Sequence, residues 1–119
     1  MNTNSAKTVA VTVGKSATLS KAVWVGSGHL VCAVSVPSSG FAQGEISFDG
    51  ANADKETASS ALVWSRLRDA DGTLVKVTSG TASSRYWFDT AKFRSMTWLR
   101  LRVPSQAAAV ILTVYVEPR

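Results

Sequence analysis

Apolar and polar residues alternate along most of the chain, in short runs that turn residues separate. In the first run Val9, Val11 and Val13 alternate with threonine and alanine. Because side chains of a β-strand alternate between its two faces, this period of two predicts strands. Runs with this alternation or with many β-branched residues cover residues 8–13, 21–25, 29–36, 45–48, 61–68, 74–78, 86–88, 97–103 and 109–117.

The residues between these runs favour tight turns and leave little room for helix. Glycine, proline, serine and aspartate separate the runs, and only residues 90–93 look like a helical turn, with Asp89 as its N-cap. Asp71 and Gly72 predict a type I′ hairpin turn between two runs. Short strands with turns between them predict an all-β fold. We expect a single-domain antiparallel β-sandwich, jelly-roll-like, of about eight strands over residues 8–119, preceded by an N-terminal arm, residues 1–7.

Two segments nearly repeat each other and carry the clearest functional signal. Residues 64–68 read W-S-R-L-R, and residues 98–102 read W-L-R-L-R. In the second segment strand alternation places both leucines, Leu99 and Leu101, on one face and the tryptophan and arginines on the other. Tryptophan and arginine are enriched where proteins bind partners. We therefore predict a partner-binding surface formed by Trp64, Arg66, Arg68, Trp98, Arg100 and Arg102, and we expect Trp24 and Trp87 in the core.

Charge and composition favour an acidic partner. The 119 residues include 13 Lys and Arg against 8 Asp and Glu, a net charge of +5. A basic domain attracts nucleic acid, an anionic membrane or an acidic protein surface, and the charge alone does not choose between them. No apolar run is long enough to span a bilayer, so we expect no membrane partner. The first residues lack the apolar stretch of a secretory signal, which predicts synthesis in a cytoplasm.

Catalytic and metal-binding residue types are scarce. His29 and Cys32 are the only residues of their kinds, which leaves no histidine-based metal cluster and no internal disulfide. Cys32 shares its strand parity with Leu30 and Val34, which predicts a buried thiol. Neither a nucleophile-elbow motif nor a glycine-rich phosphate loop is present. We therefore expect a non-enzymatic protein with no catalytic residues, no metal and no cofactor.

Taken in order, the motifs of the chain resemble those of a family of small phage and prophage virion structural proteins. The resemblance covers residues 8–117. It comprises S-A-T-L-S-K-A-V at residues 16–23, an apolar run that ends in Pro37, I-S-F-D-G-A at 46–51, L-R-D-A-D-G-T-L-V at 67–75, D-T-A-K-F at 89–93, and W-L-R-L-R at 98–102 before the apolar run 110–116.

The resemblance implies a β-sandwich protein of the virion, made in the host cytoplasm. Its implied role is capsid decoration or cement, in which many copies or a homo-oligomer bind the major capsid protein lattice and stabilise it. Two alternatives stay open. One is a tail or fibre adaptor, or a carbohydrate-binding module on the virion, that stacks sugars on exposed tryptophan rings. The other, ranked lower, is a single-stranded nucleic-acid-binding protein.

Overall fold

Two antiparallel β-sheets pack face to face in the computed structural model, which describes residues 6–119. The predicted arm comprises residues 1–7; residues 1–5 lie outside the described part, and the first strand begins at Lys7. The strands are β1 (Lys7–Val13), β2 (Val23–Trp24), β3 (His29–Ser35), β4 (Gly44–Ala51), β5 (Ser65–Arg66), β6 (Lys76–Gly80), β7 (Arg85–Trp87), β8 (Trp98–Arg102) and β9 (Val110–Pro118).

The order of the strands confirms the predicted jelly roll. Sheet I has the order β1-β9-β3-β7. Sheet II has the order β2-β8-β4, and β5 and β6 both pair with the remaining side of β4. β5 pairs with one end of β4 and β6 with the other, so the two share one strand position. Nine strands therefore fill the eight positions of a jelly roll.

The core lies between the sheets and follows the alternation in the sequence. Val110, Leu112, Val114 and Val116 of β9 are buried, while residues between them reach the outer face. Leu99 and Leu101 of β8 are fully buried, as predicted. Two fully buried phenylalanines, Phe48 and Phe93, and the half-buried Phe88 pack edge to face with ring centroids 5.2–5.7 Å apart. This arrangement is favourable for aromatic quadrupoles.

The local turns follow the sequence, with one change of turn type. Asp89 caps the 3-10 turn Thr90–Phe93 by accepting from the Ala91 amide at 3.1 Å, which confirms the predicted N-cap. A hairpin does form at Asp71 and Gly72, but only Gly72 has a positive φ, +88°. Its amide donates to the Asp69 carbonyl, and the Asp69 amide donates to Thr73. The predicted type I′ turn is therefore wrong, because type I′ needs a positive φ at both central residues.

Three core assignments made from the sequence are wrong. Cys32 faces outward and is half-buried, because a β-bulge between Val31 and Ala33 interrupts the alternation of β3. Trp87 is 67% exposed, because its neighbours Tyr86 and Phe88 occupy the inward positions. Trp24 pairs with Trp98 across the strands and lies half-buried on the outer face of sheet II.

Candidate binding surface

The outer face of sheet II carries the predicted binding residues of β8. Trp98, Arg100 and Arg102 point outward, since the leucines between them fill the core. The register of β4 sets Ala51, Asp49 and Ser47 opposite these three residues, respectively. The partners from β4 therefore decide how the side chains of β8 are held.

Asp49 fixes two arginines at the centre of this face. The Arg100 Nε donates to Asp49 Oδ2 at 2.8 Å, and the Arg102 Nε donates to Oδ1 at 2.9 Å. The Asp49 side chain is only 1% exposed, whereas those of Arg100 and Arg102 are 22% and 40% exposed. The carboxylate thus lies beneath two guanidinium groups that reach solvent, and it holds both in fixed positions.

The contacts between Asp49 and the arginines favour the charged forms of Asp49 and Arg102. Burial raises the pKa of Asp49, but the hydrogen bonds and charges of Arg102 and Arg100 outweigh burial, so the pKa lies below its ordinary value. The hydrogen bond to Asp49 raises the pKa of Arg102 against a smaller opposing effect of burial. Asp49 is therefore ionised and Arg102 is charged over the neutral pH range.

Aromatic rings hold the rest of the face in place. The Arg100 guanidinium stacks over the Trp64 ring at 4.5 Å from its centroid. Trp24 and Trp98 pack edge to face at 5.3 Å, and the Trp98 indole donates to the Asp54 carbonyl at 3.1 Å. These contacts restrict the rotamers of the large side chains before any partner binds.

Arg66 lies on the same face but makes a different contact. It pairs in register with Asp49, yet both oxygens of that carboxylate already accept from β8. The Arg66 Nη2 donates instead to the Ser47 hydroxyl at 2.8 Å. We call the surface formed by Trp64, Arg66, Trp98, Arg100 and Arg102, with Ser47 and Asp49 beneath them, the Trp/Arg face.

Arg68 does not join the centre of the Trp/Arg face. It follows the end of β5 and donates to the Gly72 carbonyl of the hairpin turn at 3.1 Å. Five of the six predicted binding residues thus come together, while Arg68 lies at the turn.

Sequence reasoning missed Asp49, which organises the Trp/Arg face. Its signal was the alternation of β4, in which Ile46 and Phe48 are buried in the core and Ser47 and Asp49 take the other parity. That alternation indicates a polar outer face. It does not identify partners 51 and 53 residues away along the chain.

An open cavity of about 300 Å³ adjoins the Trp/Arg face. Arg66, Arg102 and Ser47 line it together with Thr18 and Glu45. Glu45 forms an ion pair with Lys76 at 3.2 Å. Two guanidinium groups and two hydroxyls thus line one concave surface.

Sheet I presents a separate aromatic surface around the exposed Trp87. The Arg85 guanidinium lies 5.7 Å from the Trp87 ring centroid and 4.1 Å from that of Tyr115. Arg85 also donates to the Tyr115 hydroxyl at 2.7 Å and to the Ser35 hydroxyl at 3.1 Å. A cavity of about 350 Å³ beside these rings is also lined by Cys32, whose thiol donates to the Tyr115 carbonyl at 3.3 Å.

Residues 6–119 contain neither a metal-binding group of side chains nor a membrane-spanning helix. No three or more His, Cys, Asp and Glu side chains of the described residues group in a way that could hold a metal ion. No helix in this part of the chain has the length and apolar character needed to cross a membrane. Protein-family models, curated proteins and solved structures yield no match to the chain, so its geometry carries the functional argument.

Proposed function

We propose that the protein is a non-catalytic structural protein of a phage virion, a capsid decoration or cement protein that bridges major capsid subunits. The observation that carries this proposal is the Trp/Arg face, a cationic and aromatic surface whose side chains are fixed before binding. The phage setting rests on the order of motifs along residues 8–117.

Preorganisation makes the Trp/Arg face suitable for binding a protein lattice. Ordering a long side chain at an interface costs about 0.5–1.5 kcal/mol, and this cost falls when contacts within the free protein already hold the rotamer. Arg100 is held by Asp49 and Trp64, and Trp98 by Trp24 and the Asp54 carbonyl. Tryptophan and arginine are also the side chains that dominate binding energy at interfaces.

The net charge of the protein and the many equivalent sites of a capsid also favour a capsid as the partner. The net charge of +5 favours an acidic partner surface. A capsid offers many equivalent sites, and a protein or oligomer that spans two of them gains avidity from weak contacts. A rigid jelly roll can link two subunits without an active site or a cofactor.

The proposal is tested on purified phage heads that lack the protein. We expect Trp64→Ala to weaken binding to these heads about tenfold, because it removes a central aromatic ring and the ring that supports Arg100. The matched control is Trp87→Ala, which removes the same side chain from the outer face of sheet I. Copies per head are measured by quantitative gel over a range of protein concentrations, and electron cryo-microscopy locates the bound protein.

The controls decide between binding and folding effects. Both variants should melt within a few degrees of wild type, since neither ring lies in the core between the sheets. Absence of the wild-type protein from the heads would contradict the proposed function. Equal occupancy of Trp64→Ala and wild type at every concentration would show that another surface binds the capsid.

The exposed Trp87 favours a second candidate, a carbohydrate-binding module on the virion. Trp87, Tyr115 and the stacked Arg85 offer ring faces beside a largely apolar cavity, and sugar rings pack on such faces. We expect oligosaccharides from the host surface to shift the indole N–H signal of Trp87 in NMR spectra, and Trp87→Ala to abolish binding. Trp64→Ala is the control. Saccharide binding that survives Trp87→Ala would contradict this candidate.

A further inference from the structure

The Trp/Arg face contains more positive than negative charge at its centre. Arg66, Arg100 and Arg102 surround one carboxylate, Asp49, whose two oxygens are both occupied by Nε donors of β8. Among the described residues, the side-chain partner of Arg66 is the neutral Ser47 hydroxyl. One guanidinium is therefore left without a carboxylate within the described part of the chain.

The unneutralised charge lies in a concave site. Arg66 and Arg102 line the cavity of about 300 Å³ next to the face, together with the hydroxyl-bearing side chains of Ser47 and Thr18. Only the Nε of Arg102 bonds Asp49, and no described residue accepts from its two Nη groups. Two forked donors and two hydroxyls can therefore bond an oxyanion that enters from solvent.

The pairing of Asp49 with two arginines favours a carboxylate as the anion bound in this cavity. Glu45 lines the same cavity, and its charge is partly balanced by Lys76 at 3.2 Å. A phosphate dianion would be repelled by Glu45 and attracted by Arg66 and Arg102 about twice as strongly as a carboxylate, so charge alone does not choose between the two anions. The pairing of Asp49 with Arg100 and Arg102 also shows that this face binds a carboxylate between two arginines.

We propose that the cavity between Arg66 and Arg102 is a binding site for a carboxylate of an acidic side chain from the partner protein. The choice of a protein partner rests on the proposed function, whereas the oxyanion chemistry rests on the cavity and the choice of a carboxylate on the pairing of Asp49 with two arginines. The incoming carboxylate accepts hydrogen bonds from Arg66 and Arg102 and supplies the negative charge that this part of the face lacks.

The first test uses the free protein and a defined probe, a peptide of four glutamates capped at both ends. We expect the peptide to shift the Nε–H signals of Arg66 and Arg102 saturably in NMR spectra, at constant ionic strength. Arg66→Gln should raise the dissociation constant of the peptide about tenfold, because this substitution removes a charged donor that contacts the ligand.

Arg68→Gln is the matched control for this test. This variant removes the same charge only two residues along the chain from Arg66. The Arg68 side chain, however, donates to the Gly72 carbonyl of the hairpin turn and does not line the cavity. We expect less than a twofold effect, since Arg68 donates no hydrogen bond into the cavity and its exposed charge acts only through solvent of high dielectric constant. Equal weakening by the two variants, or unshifted Arg66 and Arg102 signals in the wild type, would overturn the proposed site. Tighter binding of inorganic phosphate than of the peptide would overturn the assignment to a carboxylate.

The second test separates this site from the proposed function. On phage heads we expect Arg66→Gln to reduce occupancy more than Arg68→Gln at equal protein concentration. If Trp64→Ala reduces occupancy but the two arginine variants bind equally, the capsid role stands and the carboxylate site is overturned as a capsid contact. If the peptide binds through Arg66 but the wild-type protein does not associate with heads, the carboxylate site stands and the capsid role is overturned.

Discussion

Replacement of Leu99 or Leu101 by alanine is expected to lower the free energy of unfolding by about 2–5 kcal/mol each. Both side chains are fully buried between the sheets, so truncation removes their transfer free energy and leaves a cavity. Loss of this size is a large fraction of the stability of a small domain. Chemical denaturation monitored by tryptophan fluorescence measures the change.

The control for this prediction is another aliphatic residue in a strand. Ile111 of β9 is 55% exposed, so Ile111→Ala should change stability by less than about 1 kcal/mol. If Ile111→Ala destabilised the protein as much as Leu99→Ala, the assignment of inward and outward faces would be wrong.

Replacement of Asp49 by alanine is expected to lower the free energy of unfolding by about 3 kcal/mol at neutral pH. This lies at the low end for a broken buried ion pair, because Arg100 and Arg102 can still reach solvent. The matched control is Glu56→Gln, which removes one negative charge from an exposed residue and should have little effect.

Because of Asp49, the free energy of unfolding should also depend on pH. Its pKa in the folded protein is lower than in the unfolded chain, so the unfolded chain takes up the proton first as pH falls. The stabilisation is therefore complete above the unfolded pKa of about 4 and is lost as pH falls through the folded pKa. We expect the stability difference between wild type and Asp49→Ala to shrink below about pH 4. A difference that stays constant down to pH 2 would contradict an ionised Asp49 as its source.

Asp49 also decides which residues are suitable for tests of binding. From the sequence, Arg100 and Arg102 are surface cations whose charge could be reversed without affecting the fold. In the structure a glutamate at either position would face the buried carboxylate of Asp49. Charge reversal there would destabilise the protein and confuse binding with folding. Trp64 and Arg66, which do not contact Asp49 through hydrogen bonds, are the cleaner positions.

Local alternation allowed most of the fold to be predicted from the sequence. The inward positions of β8 and β9 follow directly from a period of two, and Asp89 caps a turn because its carboxylate reaches an amide two residues later. The sequence-predicted strand over residues 61–68 shrinks to Ser65–Arg66, because only those residues pair with β4.

The errors arise where distant contacts override the local pattern. The bulge in β3 turns Cys32 outward, and it depends on the register against β9. Trp87 is large and apolar, but the phenylalanine cluster takes Phe88 inward and leaves Trp87 on the surface. Tyr86, on the inward parity, packs against the core. The position of a single aromatic residue in a three-residue strand is therefore set by tertiary packing.

The shared strand position of β5 and β6 has a consequence for behaviour at high local concentration. Open sheet edges are templates on which further chains can polymerise, and short or interrupted edges suppress this. One border of sheet II is divided between strands of two and five residues, and the other is the two-residue β2. Sheet I ends on one side in the three-residue β7, and at the seven-residue β1 the Thr12 carbonyl accepts from the Lys21 amide. Among the described strands, three of the four sheet borders therefore offer only short stretches of backbone to another copy, which disfavours fibre growth through them and leaves β1 as the longest open edge.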